Sequence, residues 1–183
     1  MIIKNNILVE DGWRVLRFNE QDTAETISVP EGKVIVPLKV WQAQRGQLLT
    51  RQQQGEVGVW FASDERPEDI KQDVQNFPVI AVDFPVFSDG RGYSIAYNLR
   101  ARLGFSGELR AIGDVLRDQL FYMHRVGFNA FAPRPDRDIH EALKGFQDFS
   151  EVYQSSIDQK LPLFKRAHRK GGISNATVGG RNR

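Results

Sequence analysis

A chain of 183 residues is long enough to bury one real core, and its 40% apolar share is that of an ordinary globular protein. The lack of cysteine excludes disulfides, a thiolate nucleophile, cysteine-ligated iron–sulfur clusters and thiol redox relays. The net charge of +2 is unevenly spread: residues 165–183 hold six Lys/Arg and no Asp/Glu, so the body is mildly acidic and nucleic acid is not its expected partner.

No run approaches the roughly 18 apolar residues of a membrane span, and the opening MIIKNNILVEDGW lacks the order of a secretion signal. A cytoplasmic protein without membrane contact is expected. Residues 7–9 and 13–18 are strand-like and flank Asp11-Gly12, a dipeptide suited to a tight turn, which predicts an N-terminal β-hairpin. After a link marked by Pro30 and Gly32 come a short apolar run, 33–36, and a segment, 38–49, able to form a helix. Residues 1–56 are therefore read as hairpin and connecting segment.

From residue 57 strands and helices alternate. VGVWFAS is a strand, Asp64 a plausible N-cap, Pro67 a first-turn proline and 68–77 an amphipathic helix. VIAVDFPVF reads as a strand of the kind buried on both faces, with regular pairing stopping before Pro85. A polar loop, Ser88-Asp89-Gly90-Arg91-Gly92, leads to a helix over 94–103 that closes at Gly104. A strand at 108–112, a helix at 114–126, a short strand at 129–132 and a last helix at 138–153 complete the core, 57–154. Residues 155–183, with two glycine pairs and little apolar pattern, read as a disordered basic tail. The fold class is thus α/β, a parallel sheet built from βαβ units, open or half-barrel-like, whose ligands are expected beyond the carboxyl ends of its strands.

The loop FSDGRGYS is the most informative one. Its glycines allow close backbone approach, the following helix aims N–H groups at it, and Arg91 with Ser88, Tyr93 and Ser94 offers donors to a sulfur oxyanion, phosphate or carboxylate. A purely structural strand-to-helix turn is the competing reading. The dinucleotide fingerprint is incomplete, because Ile95 stands where a third glycine belongs. In RAIGDVLRDQLFYMHR, Arg110, Asp114, Arg117 and Asp118 are candidates to converge at the sheet's carboxyl edge, with an N-cap role for Asp114 and helix-surface ion pairs as the alternatives. Asp83, inside an apolar strand, is either a paired structural carboxylate or a base or ligand contact. His124, His140 and His168 form no metal motif, no redox-cofactor motif is evident, and Trp13, Trp41 and Trp60 read as packing residues.

The strings FPVFSDGRGYS, RAIGDVLRDQ and GFNAF carry a resemblance, strongest over 57–131, to an uncharacterised bacterial family associated with an oxidoreductase role in sulfite reduction. The resemblance implies a place beside assimilatory sulfite reductase in making sulfide for cysteine synthesis, with siroheme and iron–sulfur chemistry belonging to that enzyme. It identifies no catalytic residue, and Val126 stands where members often carry cysteine, which argues against an indispensable thiol. Two functions follow as expectations. One is an accessory protein that binds an anionic ligand or docks on the reductase; the other is an enzyme using Asp83, Arg110 and Asp118 on a small sulfur or phosphorylated metabolite. In a third arrangement the basic tail contacts an acidic partner.

Overall fold

The computed structural model describes residues 1–146. Residues 147–153 of the expected last helix and the basic segment 155–183 lie outside the described residues. Eight strands form a single sheet: β1 (Ile2–Lys4), β2 (Ile7–Val9), β3 (Arg14–Val15), β4 (Val34–Pro37), β5 (Val57–Phe61), β6 (Val79–Phe84), β7 (Glu108–Gly113) and β8 (Ala130–Phe131). Their spatial order is β2-β1-β8-β7-β6-β5-β4-β3. All pairs from β3 to β8 are parallel, and only the β1 pairings with β2 and β8 are antiparallel. Among the described residues four α-helices accompany them: α1 (Leu38–Gln53), α2 (Arg91–Ala101), α3 (Arg117–Arg125) and α4 (Ile139–Lys144).

Chain length dictates the curvature. β2 and β3 occupy opposite edges of the sheet, yet only residues 10–13 separate them in sequence. Five Cα steps reach about 18 Å at full extension, whereas eight flat strands would hold their edges about 34 Å apart. The sheet therefore curls until its edges approach, giving the open half-barrel.

The N-terminal hairpin is present, with different strands from those expected. Ile2–Lys4 pairs with Ile7–Val9 around Asn5-Asn6, whose φ angles of 50° and 62° are those of a primed two-residue turn. Asp11-Gly12 instead lies in the crossing from one sheet edge to the other, and Arg14–Val15 pairs in parallel with β4. Asn5-Asn6 closes a ladder of three residue pairs, and the pairing of β1 with β8 selects this turn over Asp11-Gly12.

Alternation along each strand divides the side chains between two faces. One face, with Val34, Val36, Val59, Phe61, Ile80, Val82, Phe84, Leu109 and Phe131, packs on buried helical residues such as Trp41, Leu48, Leu99, Leu120 and Met123. The other face carries Ile35, Trp60, Val79, Ala81 and Ile112, packed with Trp13, Val15, Ala62 and Ala132; none of these is helical. A parallel sheet is normally covered on both faces. Here curling covers the second one, and the small residues Gly58, Ala81 and Ala132 suit its tight interior.

Helix boundaries shift where local geometry overrides the apolar period. In place of a helix over 68–77 there are two short 3₁₀ turns, Pro67–Ile70 and Val74–Asn76, which bury Ile70 and Val74. α1 runs on to Gln53 and kinks at Gln44, whose side-chain amide donates to the carbonyls of Ala24 and Ile27 at 2.8 and 2.9 Å and anchors the link between β3 and β4. α2 starts at Arg91 rather than Ser94. α3 starts at Arg117 rather than Asp114, because Gly113 (φ +88°) and a Val115 N–H bond to the Gly113 carbonyl first turn the chain and drop Val115 into the core.

Candidate functional site

The loops at the carboxyl ends of β5, β6, β7 and β8 meet at one rim, and their backbone is fixed by side chains from neighbouring loops. Asp114 accepts from the Phe87 N–H at 2.9 Å and from the Arg134 guanidinium at 3.1 Å, tying the loops after β6 and β8 to that after β7. Gln119, on the first turn of α3, accepts from the Leu116 N–H at 3.2 Å and donates to the Phe87 carbonyl. Phe87 is thus held through both backbone groups. Its side chain nevertheless stands 56% exposed, beside Val86 at 52%.

In the FSDGRGYS loop the chain supplies its own anion. Asp89 accepts from the Arg91 backbone N–H at 3.1 Å, and the Arg91 guanidinium grips the same carboxylate through Nε and an Nη at 3.0 and 2.8 Å. Arg91 and the Ser63 hydroxyl hold the Asp89 carboxyl far below the usual carboxylate range. The end of α2 that would face an external oxyanion is therefore satisfied by Asp89, while the Arg91 side chain stays 63% exposed. Gly90 has open space at its missing Cβ. Gly92 does not: a Cβ there would lie 2.7 Å from the Phe84 ring, so this glycine lets α2 pack against β6 and is turned away from any ligand. Tyr93 stacks edge-on against Phe84, and burial pushes its hydroxyl pKa up. Ser88 and Ser94 are both exposed.

The remaining candidates separate. Asp83 points to the helix-free face near the rim and pairs with Arg17 at 2.7 Å; Arg17 also lies over Trp60, whose indole N–H donates to the Leu16 carbonyl. Arg110, on the same face but nearer the amino ends of the strands, is 1% exposed and bound by Glu108 at 2.7 Å and Asp11 at 2.9 Å. It does not join Asp114, Arg117 and Asp118, the last two of which are exposed on the first turn of α3. Asp114 is a tether between loops, not the N-cap. Among the described residues no cluster of His, Asp or Glu is arranged to hold a metal ion.

Sequence reasoning missed Arg17, Asp11, Gln119 and Arg134, the partners that define this arrangement. Each reaches its partner across 20 to 99 residues in sequence or across separate loops, a separation that no local spacing encodes. Burial of Glu65 beside the rim raises its carboxyl pKa, although the Ala62 N–H donates to it at 2.7 Å.

Fold and rim together define a half-barrel α/β protein with a tethered loop platform at the carboxyl ends of its parallel strands. The chain belongs to the family described as bacterial protein of unknown function (DUF934), whose model matches residues 58–164. Neither the curated proteins nor the solved structures gave a match. The family match begins inside β5 and thus leaves out α1 and also β1 to β4, four strands of the same sheet. No helix among the described residues is long and apolar enough to cross a membrane.

Proposed function

We propose that this protein is an accessory protein of assimilatory sulfite reduction that acts by docking on the reductase through the loop after β6. The sulfite-reduction part rests on the resemblance carried by FPVFSDGRGYS, RAIGDVLRDQ and GFNAF. The docking part rests on one observation: Val86 and Phe87 are more than half exposed at a loop whose backbone is clamped from both sides. An exposed aromatic on a rigid support, flanked by Arg91 and Arg134, has the composition of an interface anchor. Binding energy is not lost there to ordering the loop. Three carboxylates near the rim are already closed in ion pairs, Asp83 with Arg17, Asp89 with Arg91 and Asp114 with Arg134, which favours a binding role over proton transfer for these groups.

The test is affinity capture of the full chain from cells grown on sulfate, scored for sulfite reductase in the retained material. Wild type retains the reductase, and the double variant Val86→Ser, Phe87→Ser loses it while unfolding at an unchanged denaturant midpoint. With the variant as sole copy, growth on sulfate slows, as it does with Arg91→Ala. Failure of wild type to retain the reductase, or equal retention by the double variant, would sink the proposal.

A further inference from the structure

At the opposite end of the half-barrel, between the β1–β2 hairpin, β7 and the crossing at residues 10–13, lies a cavity of about 430 Å³. That volume is within the range of small-molecule sites, roughly 300 to 1,000 Å³. Its walls are of two kinds. Ile2, Ile7, Val9 and Trp13 form an apolar side, on which Ile7 is 60% exposed although it belongs to a strand. Opposite stand Lys4, Lys33 and Arg110, with the carboxylates of Glu10, Asp11 and Glu108.

The hydrogen-bonding capacity of these charges decides the ligand class. Glu108 gives one oxygen to Arg110 and the other to Lys4 at 2.7 Å. Both oxygens of Asp11 accept from Arg110 at 2.9 Å, and one also accepts from the Trp13 backbone N–H at 3.1 Å. The acceptors next to buried Arg110 are therefore engaged, leaving exposed Glu10 as the remaining carboxylate lining the cavity. The donors are in surplus. Each ammonium has three N–H groups; Lys4 uses one ion pair, and Lys33 has no carboxylate partner among the described residues, its Nζ lying 5.9 Å from the Trp13 ring centroid. Unused cationic donors beside an exposed apolar wall fit a ligand with one anionic head and an apolar body.

We infer that this cavity binds a small organic anion, with a carboxylate or sulfonate between Lys4 and Lys33 and an aromatic or aliphatic body against Ile7, Val9 and Trp13. The site is independent of the docking loop, which lies at the other end of the strands.

The three tryptophans make the test specific, because each indole N–H gives its own signal in a ¹H–¹⁵N spectrum. Trp13 lines the cavity, Trp41 is a buried residue of α1, and the Trp60 indole is bonded to the Leu16 carbonyl. Titration with naphthalene-2-sulfonate shifts the Trp13 signal saturably and leaves the other two in place. Lys33→Glu weakens this binding by about tenfold or more, the scale of one lost charge-assisted contact, with the Trp41 and Trp60 signals unmoved as proof that the fold persists. Inorganic sulfate, which lacks the apolar body, binds more weakly. No Trp13 shift through the millimolar range, equal affinity in Lys33→Glu, or equal binding of inorganic sulfate would each overturn the inference.

Discussion

Gly92 and Gly90 sit two residues apart and have different reasons to be glycine. At Gly92 an added Cβ would meet Cε1 and Cζ of Phe84 at 2.7 Å and Val82 Cγ1 at 3.2 Å, whereas at Gly90 it would meet nothing. Gly92→Ala is expected to lower stability by about 1–3 kcal/mol through overpacking, and Gly90→Ala by less than about 0.5 kcal/mol; urea denaturation distinguishes them. Asp89 supplies a pH signature. Its folded pKa is depressed, with the contact to Arg91 the largest cause. A depressed carboxyl contributes stability that is whole above its unfolded pKa, near 3.9, and that fades as pH falls toward the folded value. Asp89→Asn therefore removes part of the stability at neutral pH and flattens the acid limb of a denaturation-midpoint profile below about pH 4. An unchanged acid limb would mean that Asp89 is not held as described.

At the scale of elements, the half-barrel is fastened at both ends by ion pairs from the segment that follows the hairpin. Asp11 binds Arg110 at the amino end, and Arg17 binds Asp83 near the rim. The first pair matters more, because the Arg110 guanidinium is almost fully withdrawn from water while Arg17 is 48% exposed. Losing one partner of a buried charge is costly, whereas exposed pairs contribute little. Asp11→Ala is expected to lower stability by about 2 kcal/mol, the scale of a lost hydrogen bond to a charged group, while Arg17→Ala is milder. Equilibrium unfolding of the two variants checks the ranking. In the hairpin, Asn6 has φ 62°, so Asn6→Gly is tolerated and Asn6→Val destabilises by about 1–2 kcal/mol, the penalty for forcing a side chain into left-handed backbone.

For the whole molecule, residues 1–56 are structural partners of the rest and not an appendage to it. They supply four of the eight strands, and β4 lies in the sheet beside β5 with the register Val34↔Val57 to Pro37↔Trp60. They also supply Trp41, 1% exposed and edge-on to Phe77 at 5.0 Å between centroids. A fragment starting at residue 57 exposes one whole edge of β5 and the apolar surface under α1, and is expected to lack a cooperative unfolding transition by circular dichroism. A cooperative transition in that fragment would contradict the single-sheet architecture.

The α/β class, the strands β5 to β8 and the stop before Pro85 were legible in the sequence, because apolar period, turn residues and proline geometry act over a few residues. The hairpin was legible in kind but not in register: Asn5-Asn6 and Asp11-Gly12 are both acceptable turns, and only pairing of β1 with β8 selects the first. Of the candidate rim, FSDGRGYS was found from its glycines, yet the carboxylate closing α2 is its own Asp89. Arg110 looked from its spacing like a companion of Asp114; strand alternation and sheet curvature turn it instead toward Asp11, 99 residues away. The sequence by itself determined the order of strands and helices from β5 to β8, while the first strand, the 3₁₀ turns in place of a helix at 68–77 and the starts of α2 and α3 were set by the fold. Only the tertiary structure decided which charges meet, since ion pairing depends on how eight strands curl, and that curl follows from two sheet edges being joined by four residues.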